Sequence, residues 1–190
     1  MRTIWNFVAG ASGAWLAVIL VPALWSPPAL AGSPEQPDCG AGARLDGQLY
    51  GAIDATLAWH AAELECDGMP RPHGEGARLR FAGPVEVDGV TRQLAIIVAL
   101  PDLRRGATGR ELPATVTVIE EDAGHFYSTR EQEICWSDIA SQTPDGDNST
   151  HYSIAGIVYC VAPLAALNDA GSITLGELKF AGRVNWQVPE

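Results

Sequence analysis

The sequence predicts an all-β fold, an antiparallel sandwich of jelly-roll type with at most one short helix, preceded by a cleaved N-terminal signal peptide. Short runs of alternating or β-branched residues recur along the chain, and turn residues separate them at intervals of about 8–12. Helical periodicity is scarce beyond the leader.

Residues 45–59 and 62–66 supply the opening strands, and Asp67-Gly68 reads as a turn. Arg78-Leu79-Arg80-Phe81 alternates charged and apolar side chains, the mark of a strand with one wet face. Gly83-Pro84 reads as a turn. Val85-Glu86-Val87 then meets Asp88-Gly89, the strongest short hairpin signal, and the chain returns through residues 94–100. That returning run is apolar on both faces and belongs in the middle of a sheet, with Pro101 ending it. Residues 114–119 alternate threonine with valine. Residues 126–129, 134–139, 152–161, 172–175 and 178–188 complete the strands. Turns fall at Asp122-Ala123-Gly124, Asp145-Gly146 and Asp169-Ala170-Gly171. Only residues 163–169 look helical, with Pro163 where a first turn tolerates proline. An immunoglobulin arrangement is disfavoured, because Trp136 directly follows Cys135 instead of sitting on a separate strand between two cysteines.

The first 31 residues read as an export signal. Arg2 gives a positive start, residues 3–34 carry no charge, and residues 14–20 form an apolar centre. Pro27-Pro28 precedes the small-residue site Ala29-Leu30-Ala31, after which cleavage is expected. The alternative is an uncleaved inner-membrane anchor. Gly10, Ser12, Gly13 and Pro22 interrupt the run, and no cluster of Lys or Arg follows it, so cleavage is the favoured reading. The expected organisation is a signal peptide at 1–31, a flexible segment at 32–38, and a single disulfide-stapled domain at 39–190. The mature protein is then periplasmic or secreted, off the membrane once the leader is gone.

The full chain has 12 Lys+Arg against 23 Asp+Glu, a formal charge of −11. Such a balance disfavours nucleic acid and anionic lipid, whose phosphates need clustered cations. All four cysteines, Cys39, Cys66, Cys135 and Cys160, lie beyond the leader. After export an even number reads as disulfides. Sequence order favours Cys39–Cys66 and Cys135–Cys160. A zinc site needs close pairs, and the shortest spacing here is 25 residues.

No catalytic signature stands out. His60, His73, His125 and His151 occur singly, without metal-ligand spacing. Asp145-Gly146-Asp147-Asn148-Ser149 places oxygens of Asp145, Asp147 and Ser149 at alternate positions, as at the start of a calcium loop, but the twelfth position holds Gly156 instead of an acid. A turn is the simpler reading. Arg104, Arg105 and Arg110 form the one basic patch, around Gly106 and Gly109, and could hold an anion. Glu120-Glu121-Asp122 could supply paired carboxylates to a glycosidase. Trp59, Trp136 and Trp186 could stack on a sugar, although tryptophan also fills sandwich cores.

The leading expectation is therefore an exported bacterial envelope protein that acts as a non-enzymatic binding or structural module, without a cofactor. Its partner would be an envelope protein or a saccharide. The rivals are a secreted glycoside or peptide hydrolase using Glu120, Glu121 or Asp122, and a calcium-dependent adhesion module.

Overall fold

A computed structural model describes residues 39–40, 42–72, 75–168 and 170–187, and only the backbone of 148 and 149. The expected leader at 1–31, the segment at 32–38, His73, Asp169 and the end of the last predicted strand lie outside the described residues, as does the side chain of Ser149.

Twelve strands form one antiparallel sheet: β1 (Arg44–Gly51), β2 (Ala55–His60), β3 (Glu65–Pro70), β4 (Ala77–Val87), β5 (Val90–Leu100), β6 (Gly109–Glu120), β7 (His125–Ser128), β8 (Cys135–Asp145), β9 (Asn148–Cys160), β10 (Leu164–Ala166), β11 (Ser172–Leu175) and β12 (Leu178–Asn185). No described residue is helical. Three pairs behave as interrupted halves of single long strands. β7 and β8 both pair with β6, β9 and β10 pair with β12 and β11, and β11 and β12 both pair with β1. The pathway is a meander in which each long strand pairs with the next in sequence. The β1–β2 hairpin is the exception, because it docks onto the last strand.

The outermost strands of this order are β2 and β3, yet only residues 61–64 join them. Four residues span less than about 20 Å even when extended. The sheet must therefore fold over until its two ends meet. There β3 lies across β12, and β2 lies against β4. The approach is close enough to dictate sequence, since a Cβ at Gly68 would sit 2.2 Å from the Arg183 carbonyl oxygen. At Gly83 it would sit 2.8 Å from the Trp59 ring.

Alternation decides what the fold buries. Leu79, Phe81, Ile96, Val98, Val116 and Val118 point inward from β4, β5 and β6 and are buried to within 1% exposure. Asp88 and Gly89, with φ of 54° and 76°, close the predicted β4–β5 hairpin. Positive φ at both central residues suits the right-handed twist of the flanking strands.

The structure corrects four local readings. The expected helix over 163–169 is absent, because residues 164–166 form β10 between β7 and β11. Its two apolar turns are too short to nucleate a helix, whereas burial of Leu164 and Ala166 around exposed Ala165 follows the period of a strand. Residues 45–59 are two paired strands, with a connection around Ala52 that apolar character concealed. Asp67-Gly68 lies inside β3, where glycine serves the close approach to Arg183. Gly83-Pro84 lies inside β4. Proline is tolerated there because β3 pairs with β4 only as far as Ala82, leaving that side of Pro84 without a strand. The strands join in one antiparallel sheet.

Both disulfides form as sequence order favours, Cys39–Cys66 with Cα atoms 5.3 Å apart and Cys135–Cys160 with 4.0 Å. No cysteine is free. They differ in what they join. Cys135 and Cys160 are already register partners on β8 and β9. Cys39 precedes β1, the neighbour of end strand β2, and Cys66 lies on β3 at the other end, so this bridge crosses the line where the ends meet without a ladder.

Candidate functional site

The outer face of β6, β8, β9, β12 and β1 carries two neighbouring pockets. A slip in the β6–β8 register between Gly109 and Leu112 begins the site, and Glu111 there takes a φ of 51°. Bulges re-aim side chains that would otherwise alternate, and this one leaves Arg110 and Glu111 both exposed. The Glu111 amide donates to Asp138 Oδ1 at 2.7 Å and ties the bulge to β8.

On β8 and β9 the disulfide sets the arrangement. With Cys135 opposite Cys160, the next residues along, Trp136 and Tyr159, also face each other. Alternation turns the cysteines inward and the aromatics outward. The two rings stand 6.4 Å apart between centroids, with 31° between their planes. Together with Glu111 and Val161 they line a surface pocket of about 430 Å³. Val161 is 71% exposed, the most accessible large apolar side chain among the described residues. The Tyr159 hydroxyl is pushed above its ordinary pKa, first by burial and then by the Asp138 and Glu111 carboxylates. Both acids are thus close enough to act on its polar end.

Asp138 continues the same face two residues along β8, in register with Ile157, which is in register with Lys179. A second pocket of about 390 Å³ opens here over Ala140, Ala155 and Gly156. Arg110 on β6 borders one side, and Arg44 on β1 and Lys179 on β12 border the other. Among the described residues Arg44 and Lys179 hold only long, exposed pairs, 3.6 Å to Asp46 and 3.8 Å to Glu177. Pairs of that kind hold a side chain weakly.

The residues singled out from sequence scatter. Of the three arginines of the basic patch, Arg110 alone lines this site. Arg105 packs over Tyr152 at 5.3 Å from the ring centroid, and Arg104 faces Glu75 at 4.0 Å. Their loop is held from below by buried Gln142, which accepts from the Gly106 amide and donates to the Arg104 and Ala107 carbonyls. The Gly106 amide is therefore already engaged. Trp136 lines the aromatic pocket, whereas Trp59 is core and Trp186 is half-buried, donating to Gln142 Oε1 at 2.8 Å.

The three acids at the β6–β7 turn all have partners. Asp122 accepts from the Gln93 amide at 3.0 Å, and Glu121 pairs with Arg80 at 2.5 Å. Glu120 is buried and accepts from Arg92 at 2.7 Å and His125 at 3.0 Å. Neither pocket above is lined by any of them. Burial alone pushes the Glu120 carboxyl up, but hydrogen bonds from His125 and Arg92, with the charges behind them, outweigh it and hold the pKa below its ordinary value. A carboxylate with a depressed folded pKa stabilises the fold above its unfolded pKa, and that stabilisation is lost as pH falls through the folded value. Glu120→Gln is accordingly expected to flatten the acid limb of stability against pH. Parallel acid limbs in urea titrations of the two proteins would refute this role.

Asp145 ends β8 and Asp147 lies in the β8–β9 turn, and the Asp145 carboxylate is bound by Arg183. His60 lies 3.9 Å from Asp46, and His151 contacts Thr150 at 3.2 Å. Among the described residues no three His, Cys, Asp or Glu side chains gather as a metal-binding group. No described helix is long and apolar enough to cross a membrane. Comparison with protein-family models, with curated proteins and with solved structures gives no match.

Glu111, Asp138, Tyr159, Arg44 and Lys179 are the site residues that sequence reasoning missed. A signal for Tyr159 was present. Once Cys135 is bridged to Cys160 across antiparallel strands, Trp136 must face Tyr159. The others depend on a bulge and on five strands meeting, which no local pattern announces.

Proposed function

We propose that the protein is an exported, non-catalytic binding module of the bacterial envelope, periplasmic or secreted, that holds a saccharide against Trp136 and Tyr159. The observation that carries this is the aromatic pair displayed side by side on the outer face. Flat rings stack on the apolar faces of sugar rings, and tryptophan and tyrosine combine an apolar body with a polar edge. Glu111 and Asp138 stand beside them as acceptors for sugar hydroxyls. Two disulfides support an oxidising compartment. The binding face is the outer face of β6, β8, β9, β12 and β1 of the single antiparallel sheet.

The reading is tested by titrating the protein with a panel of neutral and acidic oligosaccharides while following tryptophan fluorescence and heat. Binding by at least one member is expected, with a loss of tenfold or more in Trp136→Ala at unchanged melting temperature. Failure of the folded protein to bind any member, or equal binding by Trp136→Ala, overturns it.

A further inference from the structure

We propose that the ligand is an acidic saccharide whose isolated anionic group, a carboxylate or a sulfate, sits between Arg110 on one side of the second pocket and Arg44 and Lys179 on the other. This rests on the saccharide reading and extends it along the same face.

The placement of the cations carries the inference. In a chain of −11 formal charge, four of the ten described arginines are engaged closely: Arg80 with Glu121, Arg92 with Glu120, Arg183 with Asp145, Arg130 with the Ala166 carbonyl. Three cations gather around this one pocket without so close a partner among the described residues. Arg44 and Lys179 keep only the long pairs described above, and the Arg110 side chain has no ion pair or hydrogen bond among the described residues. Arg110 and Lys179 stand three strand spacings apart, about 14 Å at the backbone. Their long side chains can converge from opposite sides on a group held over Ala155 and Gly156. The floor is small enough to admit one, because Ala140, Ala155 and Gly156 raise no bulk there.

Charge also limits the ligand. A densely charged polyanion would bring many like charges against an acidic surface, and Asp138 itself borders the pocket. One anionic substituent per site fits better, with guanidinium forks suited to a planar carboxylate. Asp138 and Ile157 lie between the aromatic pair and the cations, so a single oligosaccharide can span both pockets. Stacking would hold one ring, and the neighbouring residue would carry the charge.

The test compares three probes on the intact protein: a neutral oligosaccharide bearing a single uronic acid residue, the same oligomer with that carboxylate reduced to an alcohol, and the same oligomer bearing a single sulfate ester in its place. The expected result is that the uronate-bearing oligomer binds at least tenfold more tightly than its reduced form at 0.1 M salt. That advantage should shrink toward onefold at 1 M, where the Debye length falls from about 10 Å to about 3 Å. Arg110→Gln and Lys179→Gln should each cut the ratio of native to reduced affinity several-fold. The sulfated arm separates the anions: tighter binding than the uronate assigns the site to sulfate, weaker binding to carboxylate. Equal affinity for native and reduced oligomers, with no gain from sulfate, overturns this inference while leaving the saccharide reading intact. No binding by any probe, at a melting temperature showing the protein folded, overturns both.

Discussion

Replacing Trp59 with alanine is expected to lower stability by about 3–5 kcal/mol, the range for truncating a fully buried tryptophan. The ring is 2% exposed and lies directly over Gly83, and its indole nitrogen donates to the Pro84 carbonyl at 2.6 Å. It fills the space between β2 and β4, the place where two remote parts of the sheet press together without sharing a ladder. Truncation would leave both a void and an unpartnered carbonyl. Against a total of about 5–15 kcal/mol for an ordinary domain, that is a large fraction. Urea unfolding of Trp59→Ala provides the check, and a loss below about 1 kcal/mol would show that the contact between these strands does not depend on the ring.

The second large effect is expected from the disulfides. Loop-closure entropy assigns each bridge about 3.5 kcal/mol, because the loops of 27 and 25 residues are nearly equal. On that ground alone, Cys39→Ser/Cys66→Ser and Cys135→Ser/Cys160→Ser should weaken the fold alike. Their local consequences should differ. Without Cys135–Cys160, β8 and β9 remain paired along most of their length. Without Cys39–Cys66, β3 is held by β4 on one edge and only by packing on β12. Hydrogen exchange in β3 is therefore expected to accelerate far more in the first double variant than exchange in β8 does in the second. Equal protection of β3 with and without its bridge would contradict this assignment.

Much of the architecture was legible because it rests on local chemistry. Alternation places most of the strands, Asp88-Gly89 marks its hairpin, and sequence order identifies both bridges. The errors share one cause. Gly68, Gly83 and Pro84 look like turn residues, yet they serve non-local needs, two of them close approach between layers and the third a missing neighbour on one edge. Residues 163–169 mislead for the related reason that three residues between two other strands take the conformation their neighbours impose. The candidate site was legible in fragments. Trp136 and Arg110 stood out by residue type, but what surrounds them comes from β1, β9 and β12, brought together only by the meander. The acid cluster at residues 120–122 was legible only as residue types, whereas its partners Arg92, His125, Arg80 and a backbone amide come from elsewhere in the sheet.

The docking of β1 onto β11 and β12 has a consequence for how the chain can mature. Arg44 finds its partner at Ala181, so β1, the first described strand, has no described strand to pair with, apart from β2, until β11 and β12 have been made. Such late closure leaves β1 and β2 without the rest of the sheet until then, and contacts of this long range also make folding slow. A chain cut short before residue 172 would lack both strands that receive β1 and leave it only β2.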